Sequence, residues 1–165
     1  MATNVLDRFE FRSVRANEAE EVAEIEKICF PPHEVCSKKD MFERVEHAPE
    51  LFLVAVDKET GTIAGFLNGL ATDEEAFRDE FFTDITVHNP EGKNIFILGL
   101  DVRPEYRRQG LAREIMNQYI KREQVNGRKM LKLTCLEQKV EMYKKWATKT
   151  KVSLLLYGAM KNGMR

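Results

Sequence analysis

The sequence predicts a single mixed α/β domain, with a central sheet flanked by helices. Three observations carry that prediction. The predicted elements run β-α-α-β-β-β-α-β-α, antiparallel strands first and a βαβ unit later. Two early strands are joined by the hairpin turn Asp57-Lys58-Glu59-Thr60-Gly61. A length of 165 residues, 43% of them hydrophobic and 32% charged, suits one domain with a real core.

Each element has a local reason. Phe9 to Val14 alternates apolar and polar, as a half-buried strand does. Asn17-Glu18-Ala19-Glu20 reads as a capping box, and Val22, Ile25 and Cys29 extend one helical face until Pro31-Pro32. Ser37-Lys38-Lys39-Asp40 offers a second cap, with Met41, Phe42 and Val45 expected inward until Pro49. Leu51 to Val56 and Thr62 to Leu70 are the hairpin strands. Asp73 to His88 is a charged excursion with a short helix around Phe77 and Phe81. Asn94 to Val102 is the central strand. Ala112, Ile115, Met116, Tyr119 and Ile120 then recur at helical spacing, so the helix from Gly110 to Gln124 docks one face on a core. Asn126-Gly127 turns the chain, Lys129 to Cys135 is a strand, and Lys139 to Thr148 a helix. Val152 to Tyr157 is apolar enough for one strand more.

Composition excludes several classes. A net charge of −1 lacks the basic footprint of broad nucleic-acid binding. No 18-residue apolar run exists to span a membrane, and Met1 to Asp7 lacks the basic start and apolar block of a signal peptide. Cys29, Cys36 and Cys135 are an odd number without metal-like spacing. They read as reduced thiols in a cytoplasm, with no metal site.

The stretch from Ile97 to Ala112 carries the most chemistry. A buried strand, a short basic turn, a glycine and an amphipathic helix follow one another. That order builds a phosphate cradle, because a helix start has unpartnered N–H groups and a dipole that favours negative charge. Gly110 allows close backbone approach, and Arg107 and Arg108 add charge beside the turn.

Arg107-Arg108-Gln109-Gly110-Leu111-Ala112 resembles the (Gln/Arg)-x-x-Gly-x-(Gly/Ala) signature of the GNAT superfamily of N-acetyltransferases. The resemblance covers Glu10 to Trp146. It implies the GNAT fold, a mixed sheet of six to seven strands flanked by about four helices, as one domain over residues 8–165 after a flexible 1–7. It implies that Arg107, Arg108, Gln109, Gly110, Leu111 and Ala112 bind the pyrophosphate of acetyl-coenzyme A. It implies too that Asn94–Val102 and Lys129–Cys135 splay apart, with Leu100 and Val102 offering main-chain groups to the pantetheine arm. Gly99 marks either the bulge that helps splay them or close packing. Tyr143 falls where many of these enzymes place the tyrosine that protonates the departing thiolate. Cys29-Phe30-Pro31-Pro32-His33-Glu34 resembles the loop over the amine site in the arylalkylamine (serotonin) N-acetyltransferase branch and its small bacterial relatives. There Phe30 would meet the amine's apolar body and Glu34 its ammonium. From the residues alone, Tyr143 equally suits a packed helix tyrosine, and Phe30 to Glu34 a rigid helix-ending turn.

The implied activity is direct acetyl transfer from acetyl-CoA to a primary amine, expected to be a small molecule, by a cytoplasmic monomer or homodimer. A non-catalytic acyl-CoA-binding module of the same fold is the alternative. A different nucleotide-binding domain is disfavoured, since neither Gly-Lys-(Ser/Thr) nor Gly-x-Gly-x-x-Gly occurs. The acidic run Glu74-Glu75, Asp79-Glu80 and Asp84 is a solvated face that could also attract a cationic amine.

Two departures from the family pattern stand out. Phe96 and Leu98 occupy the strand positions of the two proton-relaying histidines of the arylalkylamine branch. Water, Asp101, Glu34 or Glu137 is left to take the amine's proton. The tail is atypical, because Tyr143-Lys144-Lys145-Trp146-Ala147-Thr148 lacks the usual Tyr-x-x-x-Gly-Phe. Reading one base back from Trp146-Ala147 gives Met-Gly and then a codon compatible with tyrosine, which restores Tyr-Lys-Lys-Met-Gly-Tyr. We therefore hypothesise a one-base slip in the A-rich lysine codons before Trp146. Resequencing the gene checks it: an added or missing base is expected there, and an intact frame through codon 146 ends the idea.

Overall fold

The structure is a computed structural model that describes residues 5–32, 35–75, 78, 80–135 and 153–159. In chain order the elements are α1 (Val5–Arg8), β1 (Phe9–Ser13), α2 (Ala19–Cys29), α3 (Lys38–His47), β2 (Phe52–Asp57), β3 (Ile63–Thr72), α4 (Glu80–Thr83), β4 (Asn94–Val102), α5 (Leu111–Val125), β5 (Met130–Cys135) and β6 (Ser153–Ala159). The strands lie side by side in chain order. β1 to β4 are antiparallel neighbours, and β4–β5 and β5–β6 are parallel. The mixed sheet expected from the sequence is thus present: β1 to β5 form an open sheet, and β6 is paired beyond β5. The expected helix Lys139–Thr148 lies outside the described residues.

Helices cover both faces of the sheet. On one face α5 presents Leu111, Ile115, Met116, Tyr119 and Ile120 to Leu53, Leu67, Ile95 and Ile97. On the other, Val22 and Ile25 of α2 and Met41 and Val45 of α3 pack on Phe52, Val54 and Phe66. Phe81 of α4 closes over Leu70, Phe96 and Leu98. Each such fully buried side chain contributes about 1.5–3 kcal/mol, so these layers dominate stability.

Three sequence expectations need correction. Phe42 points outward and is exposed, with the Lys38 ammonium 5.6 Å from its ring centroid. The inward stripe of α3 is Met41, Arg44 and Val45, since i, i+3 and i+4 share a face and i+1 lies about 100° away. The capping box begins earlier than Asn17: the Glu18 carboxylate accepts from the Arg15 N–H at 2.8 Å, and α2 starts at Ala19. Leu111 is fully buried on α5, and Ala112 only partly. The Ser37 cap is present, its hydroxyl accepting from the Asp40 N–H at 3.1 Å.

Two glycines set how closely α5 approaches the sheet. A Cβ on Gly65 would stand 2.5 Å from the Asp101 carbonyl and 3.2 Å from Ile115 Cδ1. One on Gly69 would stand 2.7 Å from the Phe96 carbonyl and 2.9 Å from the Tyr119 hydroxyl, which donates to Leu51 at 3.1 Å. Gly65→Ala should therefore destabilise the fold by about 1–3 kcal/mol through overpacking. Urea unfolding checks this, and an unchanged midpoint would show that β3 and β4 can part without loss.

Candidate functional site

The site begins where β4 and β5 separate. Their ladder contains Asn94↔Met130, Ile95↔Leu131 and Phe96↔Lys132, and goes no further. The last rung is buried: the Lys132 ammonium lies 5.4 Å from the Phe96 ring centroid and donates to the Glu75 carbonyl. β4 stays paired with β3 as far as Val102, and β5 with β6 as far as Cys135. From Ile97 onward the β5-facing backbone of β4 therefore has no ladder partner among the described strands. Backbone N–H and C=O groups in a sheet interior require partners, so such an opening suits an extended polar guest.

A bulge adds to the opening. Asn68 faces Gly99 and Gly69 faces Ile97, which leaves Leu98 as the extra residue of β4. It sits one residue before the expected Gly99 and inverts the faces beyond it. Ile95 and Ile97 point to the α5 side, and so do Leu100 and Val102, both partly exposed. Asp101 is thereby carried to the α2 side, where it is buried beside Cys29.

The turn after β4 is tightly conditioned. Pro104–Tyr106 forms a 3₁₀ turn, and the Arg107 Nε donates back to the Val102 carbonyl at 3.0 Å. The Cys29 thiol donates to the same oxygen at 3.4 Å, joining the end of α2 to the turn. Val102's carbonyl thus already has two donors from its own chain. Burial, aided by Asp101 and opposed by Arg107, pushes the Cys29 thiol up to about 11, which keeps it protonated. Arg108 has φ 63°, the one positive φ outside glycine among the described residues, and Gly110 has φ 79°. Left-handed residues so close together gather backbone N–H groups toward one side, a form that binds anions. At Arg108 this conformation costs about 1–2 kcal/mol.

Gly110 is the N-cap of α5 and, being glycine, has no side chain with which to cap it. The first helical bond runs from the Glu114 N–H to the Gly110 carbonyl, so the N–H groups of Leu111, Ala112 and Arg113 precede the helical ladder. A Cβ on Gly110 would meet nothing within 4 Å. Glycine is required there by its φ, and the close approach expected from the sequence would have to come from a ligand. Arg107, Arg108 and Gln109 are exposed around it.

The loop after α2 reaches the same region. Phe30 is half-buried, and the chain turns with the Val35 N–H donating to the Pro31 carbonyl at 3.0 Å. Its base is held by Glu26, buried on the inner face of α2, whose Oε2 accepts from the Cys36 N–H at 2.9 Å. Glu34 and Tyr143 lie outside the described residues. Leu100, Val102, the turn from Arg107 to Ala112 and Phe30 are thus brought to one end of β4. The sequence reading missed Glu26, although it falls at helical spacing with Val22, Ile25 and Cys29.

It also missed Asp57, read as a turn residue at the end of an apolar strand. Its buried carboxylate accepts from the Tyr106 hydroxyl at 2.7 Å and from Arg8 at 3.2 Å through Oδ2, and from the Glu59 N–H at 2.9 Å through Oδ1. The bond from Tyr106, joined by the other two, lowers the Asp57 carboxyl from its usual value against the effect of burial. Burial, then the bond to Asp57, raises the Tyr106 phenol.

Residues 19–147 match the family described as "Acetyltransferase (GNAT) family", and the chain belongs to it. It is 28% identical over 153 residues to "Probable hydrolase YhcX" of Bacillus subtilis (strain 168), a match covering 86% of this chain and 29% of that relative's length. Among solved structures, the fold is similar to the loading GNATL domain of CurA from Lyngbya majuscula, with TM-score 0.69, 14% identity and coverage of 82% of this chain and 68% of that one. It is also similar to the diaminobutyrate acetyltransferase EctA of Paenibacillus lautus, in complex with L-2,4-diaminobutyric acid and coenzyme A. That match has TM-score 0.57, 16% identity and coverage of 84% and 71%. No helix among the described residues is long and apolar enough to cross a membrane.

Asp57 gives a pH signature. Its folded-state pKa is lowered, so the unfolded chain takes up the proton first as pH falls. Its contribution is present above the ordinary carboxylate pKa of about 4 and is lost as pH drops below that value toward the folded pKa. Urea midpoints from about pH 6 to about pH 3 should fall less steeply for Asp57→Asn than for the wild type. Parallel curves would remove Asp57 from the acid response.

Proposed function

We propose that this chain binds acetyl-coenzyme A in the opening between β4 and β5 and transfers its acetyl group directly to a primary amine of a small molecule. The observation that carries this is the adjacency of two features among the described residues: the edge of β4 beyond its ladder with β5, and the left-handed turn at Gly110 that starts α5. Bound there, acetyl-CoA supplies an acetyl thioester. The N–H groups of Gly110, Leu111 and Ala112, with Arg107, Arg108 and Gln109, neutralise the pyrophosphate. The main chain at Leu100 and Val102 aligns the arm as an added strand, with donors beyond the already engaged Val102 carbonyl.

No covalent nucleophile is needed, because a neutral amine attacks a thioester. The amine nitrogen bonds to the acetyl carbon as the C–S bond breaks. Tyr143 gives its proton to the leaving thiolate. The amine's proton goes to water or to a carboxylate among Asp101, Glu34 and Glu137. Of these, Asp101 lies on the α2 side of β4 beside Cys29, at the end of α2 from which the Phe30 loop departs, where the amine would enter. Phe30 would contact the apolar body of the amine and Glu34 its ammonium. The coenzyme and amino-acid amine in the EctA structure, which shares the fold, support this pairing of substrates. An arylalkylamine acceptor is less favoured, since Phe96 and Leu98 are buried together on the face that would carry its histidines.

That same observation supports a second reading, an acyl-CoA-binding module with weak or no turnover. Calorimetric titration with acetyl-CoA, followed by a thiol-release screen across amines, tests both. We expect micromolar-range binding that Gly110→Asp abolishes, because the new carboxylate occupies the phosphate position. With an active amine, Tyr143→Phe should lower kcat on the order of a hundredfold. Binding without turnover across the screen selects the second reading, and no binding by the intact chain rejects both.

A further inference from the structure

We infer that Asp57 is a positioning residue for the coenzyme: through the Tyr106 hydroxyl it holds the turn Arg107–Gly110 in its pyrophosphate-binding form. This rests on the proposed binding of acetyl-CoA at that turn.

Arg107 is tied back to the Val102 and Pro104 carbonyls, and beyond it the turn is exposed. Arg107 to Gly110 are four consecutive exposed residues between two buried ones, Tyr106 and Leu111. Two of the four are left-handed, and Arg108 adopts that conformation against its side-chain preference. Residues strained in this way persist only where their surroundings over-determine them. Leu111 fixes the far end through the α5 core. The near end is set by the Arg107 bond to the Val102 carbonyl and by Tyr106, and Tyr106 is held twice.

Its ring packs edge-on against Phe9, with centroids 5.7 Å apart and planes at 73°. The Arg8 guanidinium lies 5.5 Å from the Phe9 centroid and 5.4 Å from that of Tyr106. Its hydroxyl is held by the Asp57 carboxylate, itself fixed at the β2–β3 hairpin by the Glu59 N–H. Ring packing alone keeps the residue in the core. The charge-assisted bond adds the direction, because a hydroxyl 2.7 Å from a buried carboxylate sets where the ring stands, and with it where Arg107 begins. The β2–β3 hairpin already meets the end of β4 through its ladder to Val102 and the Arg103 bonds to Ala64 and Ile63, and the Asp57–Tyr106 bond extends that hold to the last residue before the turn.

The test uses the full chain, wild type against Tyr106→Phe, which removes only the hydroxyl, and Asp57→Asn, which keeps an acceptor but loses the charge. Binding is measured for coenzyme A, for ADP as the pyrophosphate-bearing half, and for S-acetylpantetheine, which lacks the pyrophosphate. Amide hydrogen exchange of Arg107 to Leu111 is followed without ligand. For Tyr106→Phe we expect coenzyme A and ADP affinities to fall about tenfold, the order of one charge-assisted hydrogen bond. S-acetylpantetheine should bind as before, and exchange in the turn should quicken. Asp57→Asn should shift the same readouts by less.

Equal losses for ADP and S-acetylpantetheine would show general loosening and overturn the inference. So would unchanged ADP affinity with unchanged exchange. If the wild type binds neither coenzyme A nor ADP, the coenzyme reading itself fails and the positioning role goes with it. If the wild type binds both and the variants match it, only the positioning role fails.

Discussion

The fold turns on the parting of two parallel strands after the Phe96–Lys132 rung. A β-sheet gains by pairing every backbone group, and this one stops pairing in its interior. The interruption persists because each strand is secured on its other side, β4 by β3 up to Val102 and β5 by β6 up to Cys135. Neither strand can drift across to close the gap without giving up a longer ladder. A site made this way is stiff, since its walls are sheet and its floor is a buried lysine over an aromatic ring.

What lies at the mouth of the gap follows from that stiffness. α5 must start where β4 ends, and the glycines at 65 and 69 let the helix lie close enough to bury Ile115 and Tyr119. Its uncapped N-terminus is therefore aimed by the core beneath it. The link between strand and helix runs through the Pro104–Tyr106 turn and two left-handed residues to make the bend. Strain at Arg108 of about 1–2 kcal/mol is small against the apolar burial of α5, and the core can hold it.

Much of this was legible in the sequence where the signal is local. β4 and α5 announce themselves by an apolar run and by a 3.6-residue period, and the span Asn94–Val102 agrees with the structure end to end. The Ser37 cap and the turn at Gly61 are equally local. Errors arose where a tertiary partner decides. Phe42 looks like core by composition, yet the inward place beside Met41 goes to Arg44, whose guanidinium meets Asn68 Oδ1 at 3.1 Å and the Phe82 carbonyl at 2.8 Å. Glu26 and Asp57 look like surface charge, because the Cys36 N–H and the Tyr106 hydroxyl that they accept from lie beyond their own elements. The left-handed Arg108 has no sequence signal, since its neighbours impose it.

The bulge at Leu98 joins the fold to the chemistry. Side chains in a strand alternate, so a single extra residue reverses every later position. Continued without it, the alternation of Ile95 and Ile97 would bring Gly99 and Asp101 against α5, burying a carboxylate among Ile115 and Met116. With it, Leu100 and Val102 meet that apolar helix and Asp101 crosses to the side of Cys29. One residue thus satisfies two demands, an apolar seat for α5 and a buried acid on the opposite face. Gly69, directly across the irregularity, supplies the room. On the proposed reading the acid lies on the amine's side of the sheet, and the backbone edge of β4 lies in the plane between the two faces. A donor along that edge and an acceptor beside Asp101 would meet at the level of Leu98 to Leu100, the one stretch of β4 where alternation is broken.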